Sequence, residues 1–493
     1  MQMNTRKNIG WMRDLAFHYE AMRASHPDDK LMIVFDIDGT IFDVRHIIVS
    51  VLKDYDHDHG TRFFTNLGYD DITMPAHDIG TILREFAIPA ASREGIAAWC
   101  KENYWSRAAI LSSHKPFHGV LDVIRWFQLQ PNTFVGLNSS RSESLRTDTL
   151  RILNTLGEEY HVKFDDALLS MNNGLPIPQG KLDGIRHFKD LGYRIVAVID
   201  NEPENLEAIA TSDPASEMLL LHADIIIKSS PARAGNNVMR RNFFDLTDLI
   251  SRQQLPEHIE FVWHGVDDES ILRQFLISSV QWAELHVRQH INSQDLILRR
   301  KPYAEMPPAP DENPARLDDF LYILGDAGRG VKLDLKDPGM TGRVLELLKA
   351  SGFTDEKIWF TINMEEMRRG GLQLILDTFP KAIKQCPVDS LSQMMKESPP
   401  EARKYLGMLA HWGIDRFSVN WNTPSSRRII IQLQNWGYDV NIYNVPDLEA
   451  FLQAALLLPK SITSFFNFPK WFYTGRSDEM EQPLRVSSHR LSL

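Results

Sequence analysis

The sequence predicts an α/β protein in two parts: a doubly wound parallel sheet with an inserted helical cap, then a (β/α)8 barrel. Three observations predict it. Short, wholly apolar runs alternate with helical patterns through residues 1–250, as buried parallel strands and crossover helices do. A second series of eight expected strands, several followed by helical patterns, fills residues 257–476, the length and rhythm of a closed barrel. Between the two, Ser251–Glu257 is polar and contains Pro256, which marks a junction.

The elements follow in order. Trp11, Leu15, Tyr19 and Met22 recur at helical spacing, so residues 9–25 read as an amphipathic helix. Leu31–Phe35 is a continuous apolar run and reads as the first buried strand. Residues 44–116 are helical with polar breaks and form the cap, and a helix beginning near Phe117 returns the chain to the sheet. Strands are expected at Thr133–Leu137, Arg194–Ile199 and Ala223–Ile227, separated by helices at Glu143–Leu156, Leu182–Leu191 and Glu204–Ala210. The barrel strands are expected at Ile259–Trp263, Val280–Val287, Gly330–Leu335, Lys357–Ile362, Ala382–Gln385, Arg416–Trp421, Asp439–Tyr443 and Ser461–Phe466. Lys301–Pro314 reads as a long Pro-rich loop, and residues 477–493 as a disordered tail.

Composition narrows the function. Of 493 residues, 43% are hydrophobic and 24% charged, an ordinary globular balance that excludes a coiled coil or a disordered chain. The net charge of −11 argues against a nucleic-acid binder, which needs basic patches to displace counterions. Apolar runs such as Ala454–Leu458 are too short to span a bilayer, so no membrane partner is expected. Cys100 and Cys386 are the sole cysteines, so neither a disulfide framework nor a cysteine zinc site supports the fold. Residues 1–27 have no apolar leader core, and a reducing, cytoplasmic setting is expected. The sequence leaves a homo-oligomer open.

The first chemical constellation begins at Asp36-Ile37-Asp38-Gly39-Thr40, directly after the first strand. Two carboxylates then stand at a strand's C-terminal edge, where α/β sheets bind ligands. In such a pair the first carboxylate can attack phosphorus while the second protonates the leaving oxygen. Three further motifs follow: Ser139 in Val135-Gly136-Leu137-Asn138-Ser139-Ser140-Arg141, Lys181 in Gly180-Lys181-Leu182, and Asp200 in Val198-Ile199-Asp200-Asn201-Glu202-Pro203-Glu204-Asn205.

This order of motifs resembles the haloacid dehalogenase-like (HAD) superfamily of phosphatases over residues 28–250. The resemblance implies a Rossmannoid domain and hydrolysis of a small phosphomonoester, so the expected partner is a phosphorylated metabolite. It implies that Asp36 forms an aspartyl-phosphate, that Asp38 is the general acid and then base, and that Ser139 and Lys181 hold phosphoryl oxygens. Mg2+ would bind Asp36, the Asp38 backbone carbonyl and Asp200, with Glu204, or else Glu202, supporting it from behind. The cap's Arg45, His46 and Arg107 are candidate substrate contacts.

The C-terminal half resembles the glycerophosphodiester phosphodiesterase-like barrels, a TIM-type fold. The residues that carry this are Trp263-His264-Gly265, Glu269–Phe275, Ala283-Glu284-Leu285-His286-Val287, Lys332-Leu333-Asp334-Leu335-Lys336 and Ser464–Pro469. The resemblance implies that Glu269, Glu284 and Asp334 could hold a second divalent cation, with His286 where an aspartate is usual and His264 as one of two catalytic histidines. The second histidine is missing, because its segment reads Asp295-Leu296-Ile297-Leu298-Arg299-Arg300, and Gly265 replaces the family's arginine. An arginine cannot serve as a general acid near neutral pH. The expectation is therefore a barrel that could keep a metal or anion site while having lost diester turnover; a bifunctional phosphodiesterase–phosphatase and a non-catalytic, ligand-binding or regulatory protein stay open as alternatives. Lys332 and Lys336 share a face with Asp334 and could neutralise it or bind phosphate; Asn420, Trp421 and Asn441 could line the same mouth, and His290 reads as a surface residue.

Overall fold

A computed structural model describes residues 11–72, 79–112, 114–213, 215, 217–223, 238–241, 244–308, 312–363, 370–466 and 468. The chain forms two compact units, Met1–Ile250 and Ser251–Leu493.

The first unit is built on a parallel sheet of six strands: β1 (Lys30–Phe35), β2 (Thr133–Ser142), β3 (Leu169–Asn172), β4 (Tyr193–Asp200), β5 (Leu219–Ala223) and β6 (Val238–Arg241). Their order in space is β3-β2-β1-β4-β5-β6, so the direction of winding reverses between β1 and β4. That reversal opens a crevice at the strands' C-terminal ends, and Asp36 and Asp200 stand on either side of it. β1 is central because Leu31, Met32, Ile33, Val34 and Phe35 are all buried and fit a strand covered on both faces. The helix Trp11–Ser25 buries Trp11, Met12, Leu15, Ala16 and Tyr19, and the Tyr19 hydroxyl shares a hydrogen bond with Thr133 Oγ1 at 2.7 Å.

Helices Arg45–His59, Ile79–Glu85, Ala90–Asn103 and Arg107–Ser112 form the cap between β1 and β2. They enclose a core of their own that includes Ile48, Leu52, Phe64, Leu83 and Ile96. The strand expected at Ala223–Ile227 lies earlier, at β5, because Leu219-Leu220-Leu221 supplies the apolar run that pairs with Ala197–Ile199; residues 224–227 lie outside the described set. β3 escapes a periodicity reading because it is four residues long with alternating burial.

The second unit is a closed barrel. Its eight parallel strands are β7 (Glu260–Trp263), β8 (Trp282–Gln289), β10 (Gly330–Leu335), β11 (Ile358–Thr361), β12 (Ile383–Pro387), β13 (Arg416–Asn420), β14 (Asp439–Val445) and β15 (Ser461–Ser464). Pairings β15–β7 and β8–β10 close the ring, and a short β9 (Leu296–Leu298) adds antiparallel to β8. The interior is filled by Val262, Trp282 and Trp359, with the Arg416 guanidinium 4.4 Å from the Trp359 ring centroid. Arg416 is neutralised by Glu260 at 2.6 Å. Among the described residues no helix is long and apolar enough to cross a membrane. The tail expected at 477–493 lies outside the described residues.

Candidate functional site

In the first unit, Asp36, the residue after β1, is 5% exposed and Asp200, at the end of β4, is 1% exposed. Gly39 has φ +88°, and a Cβ there would collide with the Asn201 side chain, so the turn after the strand needs glycine. Lys181 reaches in from the helix Ile177–Asp190. Its Nζ donates to Asp36 Oδ1 at 2.5 Å and to the Asn138 carbonyl at 2.6 Å, and lies 2.9 Å from Asp200 Oδ2. Burial works against its charge, but Asp200 and Asp36 outweigh it and hold the ammonium protonated.

Asp200 is fixed from behind by the Glu202 backbone N–H and by Asn205 Nδ2, at 2.8 and 3.0 Å to Oδ1. Glu204 is exposed on the first turn of the helix Pro203–Ala210, so the support the sequence reading gives to Glu204 comes from Asn205 instead. Ser139 is buried near the end of β2, where its Oγ accepts from the Arg141 backbone N–H at 3.2 Å.

Arg141 is the residue sequence reading missed. Its fully buried guanidinium grips Asp38 in a two-pronged pair, Nε to Oδ2 and Nη2 to Oδ1, both at 2.7 Å. Thr149 Oγ1 accepts from Nη1 at 3.0 Å, and His114 Nε2 lies 2.6 Å from Nη2. The Phe42 and Trp105 rings flank the guanidinium. Burial pushes Asp38 up, yet the Arg141 charge and hydrogen bonds prevail and keep it below the usual carboxylate range. Burial and the same arginine lower His114 to about 4, so it is neutral at pH 7.

The cap's candidate substrate contacts are held by carboxylates outside this cluster. Arg45 is taken up by Asp43 at 2.7 Å and Asp70 at 3.2 Å, His46 lies 3.8 Å from Asp43, and Arg107 pairs with Asp148 at 3.3 Å.

Charge decides whether Mg2+ fits. Asp36, Asp38 and Asp200 face the two cations Lys181 and Arg141, which leaves one buried carboxylate unbalanced. Burial, then the neighbouring Asp200, raise Asp36 to about 7 against the pull of Lys181. A hard divalent cation prefers carboxylate oxygen and would remove that surplus, so the donors fit.

In the second unit, His264, Glu284, His286, Lys332, Asp334 and Lys336 all line one cavity of about 350 Å3 at the C-terminal mouth of the barrel. The register puts them there: Lys332 pairs with Glu284 and Asp334 with His286 across β10–β8. Gly265 has φ +67°, a backbone that disfavours the family's arginine at this position. Among the described residues, His264, Glu284 and His286 bring potential metal-ligand atoms within 4.8 Å of one another.

Their partners are protein groups. Glu284 shares a hydrogen bond with His264 Nδ1 and an ion pair of 2.9 Å with Lys332. Burial opposes its charge, but Lys332 and His264 hold it well below the usual range. Lys336 pairs with Asp334. Glu269 is exposed beside Arg273 and outside the cavity, because Asp268 caps the helix Glu269–Ile277 and turns its first residue to solvent. Asp267 stands at the site in its place: it accepts from the His286 backbone N–H at 2.8 Å and bonds His286 Nδ1 at 2.6 Å.

Arg299, where the second histidine is expected, is buried against Glu312 at 2.8 Å. Asn441 lies deeper in the barrel, accepting from Ser461 and Thr463 hydroxyls. Asn420, Trp421 and His290 are also outside the cavity lining.

Fold and sites define an α/β protein that joins a parallel-sheet unit with an aspartate–lysine cluster to a closed eight-stranded barrel with a polar mouth. No protein-family model matches the chain, and no curated protein matches it. Similar solved structures include a glycerophosphodiester phosphodiesterase from Agrobacterium tumefaciens str. C58: 16% identity, 42% of this chain and 96% of that one, TM-score 0.30. A HAD-superfamily hydrolase from Geobacter sulfurreducens PCA is similar at 15% identity over 43% of this chain and 92% of that one, TM-score 0.28. A HAD family hydrolase from Deinococcus radiodurans R1, solved with phosphate and sodium, is similar at 16% identity over 44% and 93%, TM-score 0.28.

Proposed function

We propose that the first unit is a Mg2+-dependent phosphatase that hydrolyses a small phosphomonoester through an aspartyl-phosphate on Asp36. The observation that carries this is the meeting of Asp36, Lys181 and Asp200 at adjoining strand ends, buried and with one negative charge in surplus. Asp36, Asp200 and the Asp38 carbonyl would hold Mg2+, which when bound would offset charge on the phosphoryl oxygens. Ionised Asp36 attacks phosphorus as the ester oxygen leaves. Lys181 and Ser139 stabilise the phosphoryl oxygens, and water then cleaves the acyl phosphate and restores the carboxylate. Asp38 moves the protons on this reading, giving one to the leaving oxygen and taking one from water. Its grip by Arg141 has to loosen for it to do so.

The barrel, on this reading, does not turn over diesters. An arginine does not serve as a general acid near neutral pH, and Arg299 is committed to Glu312. The test is hydrolysis of p-nitrophenyl phosphate and bis-p-nitrophenyl phosphate by the full chain, with Mg2+ and with chelator. Monoester release that needs Mg2+ and vanishes in Asp36→Asn supports the reading. Undiminished release by that variant removes the aspartyl-phosphate, and diester cleavage lost in His264→Ala restores an active barrel.

A further inference from the structure

Beyond that reading, we propose that the barrel mouth is a metal-independent binding site for a small polyhydroxylated anion, a sugar phosphate or a sugar acid. Two sets of observations converge on it.

The first is charge. Four carboxylates belong to the mouth: Glu284, Asp334 and, behind His286 and Tyr443, Asp267 and Asp389. Three fixed cations face them in Lys332, Lys336 and Arg300. Lys332 and His264 already occupy both oxygens of Glu284, and His286 occupies both of Asp267. Both oxygens of Asp389 accept hydrogen bonds, from the Asn420 backbone N–H, the Thr423 hydroxyl and the Tyr443 hydroxyl. A divalent cation at Glu284 would have to displace the Lys332 ammonium that already pairs with it. Arg300 differs from the two lysines. It is exposed at the cavity, and among the described residues its guanidinium has no carboxylate partner. A planar guanidinium held open beside Lys336 suits the two oxygens of a phosphate or carboxylate.

The second is a wall of unpaired polar groups. Thr361, Gln385 and Ser418 stand on the three consecutive strands β11, β12 and β13 and line the cavity. Each carries a buried side-chain oxygen without a hydrogen-bond partner: Thr361 Oγ1, Gln385 Oε1 and Ser418 Oγ. Gln385 is 2% exposed and Ser418 0%. Unpaired buried polar atoms are costly, and a folded chain tolerates a row of them where something else pairs them. An amide carbonyl accepts only, so the partner for Gln385 has to donate, as a ligand hydroxyl does. About 350 Å3 is at the small end of ligand pockets and suits a single sugar or short polyol. The ligand's anionic end therefore faces Arg300 and Lys336, and its hydroxyls face the β11–β13 wall.

The experiment is calorimetric titration of the full chain in chelator with glucose 6-phosphate, gluconate and glucose. Binding of one or both anions without metal is expected, with glucose weaker. Which anion prevails tells a phosphate ligand from a carboxylate ligand. Arg300→Ala, a change at an exposed position, should weaken the preferred anion about tenfold or more. Gln385→Met, close in volume, should weaken the anion and glucose together. Binding that appears only when Mg2+, Ca2+ or Zn2+ is added overturns the proposal, as does binding unchanged in both variants or no binding of any probe. Phosphatase activity is predicted to be untouched by either variant, so loss of the barrel site and loss of the first unit's chemistry read out separately.

Discussion

Replacing Lys181 by methionine tests the first site most sharply. The change keeps the buried alkyl stem and deletes the ammonium that touches Asp36 at 2.5 Å and Asp200 at 2.9 Å. Two carboxylates, 5% and 1% exposed, are then left facing each other. Breaking a buried pair from one side costs about 3–5 kcal/mol, and for a unit of this size each kcal/mol moves Tm by about 2–4 °C, so the expected fall is about 6–20 °C at pH 8. The pH dependence has a definite sign. The Asp36 carboxyl is at about 7 in the fold against 3.8 as its ordinary value, so its ionisation weakens the fold as pH rises through that interval. Without Lys181 the folded value climbs further, and the gap between parent and variant must widen from pH 5 to pH 8. Scanning calorimetry of the full chain at pH 5, 6.5 and 8 measures it, following the transition of the first unit. Added Mg2+ should restore part of the loss at pH 8 and little at pH 5, where protons compete for the same oxygens. An unchanged Tm at pH 8, or a gap that stays constant across the three values, would refute the account of Lys181 as the counter-ion of the crevice.

Other consequences follow from the same contacts. Mg2+ affinity of the full chain should fall about tenfold per pH unit below about pH 7, because the ion displaces a proton from Asp36; a flat titration series would exclude Asp36 as a ligand. Arg141→Met should leave Asp38 buried without its partner, raise its pKa, and lift the ratio of alkyl phosphate to acetyl phosphate hydrolysis, since only the former needs a protonated leaving group. An unaltered ratio would show that Arg141 does not govern proton delivery. Lys332→Met should lower the barrel's melting transition by the equivalent of about 3–5 kcal/mol by stranding Glu284, and a change within a degree would mean that the Lys332 pair contributes nothing net.

The strands of both units were readable wherever burial on two faces made them continuous apolar runs. Leu31–Phe35 is of this kind; the eight barrel strands mix apolar with polar residues and were read from their spacing, and each lies close to its expected range. β3, β6 and β9 were not readable: the first two are four residues each, and β9 is three residues paired antiparallel to the C-terminal end of β8. At the sites, the resemblance carried by the motif order led to Asp36, Lys181 and Asp200, which stand directly after β1, in the second turn of the helix Ile177–Asp190 and at the end of β4. It could not lead to Arg141, Asn205 or Asp267. Arg141 reaches Asp38 across 103 residues, and nothing local in Ser139-Ser140-Arg141 says which way the arginine turns. Glu269 misled for a local reason: Asp268 claims the cap, and the helix carries the next side chain out to solvent.

The two sites use the same parts, buried carboxylates bridged by lysine, and differ in the remainder. In the crevice the remainder is negative, and it falls on Asp36, whose raised pKa records the cost. That cost is relieved by anything that brings positive charge to the oxygens, a proton at low pH or a divalent cation at neutral pH, and only the second leaves the carboxylate able to attack. In the barrel Glu284 is held firmly ionised between Lys332 and His264, and the buried atoms left wanting at the mouth are His264 Nε2 and the side-chain oxygens of a threonine, a glutamine and a serine on neighbouring strands. A nucleophile needs a group whose charge is costly and a cation to make it bearable. A receptor needs unpaired donors and acceptors. What each site leaves unpaired, more than the residues that compose it, is what separates chemistry in one unit from recognition in the other.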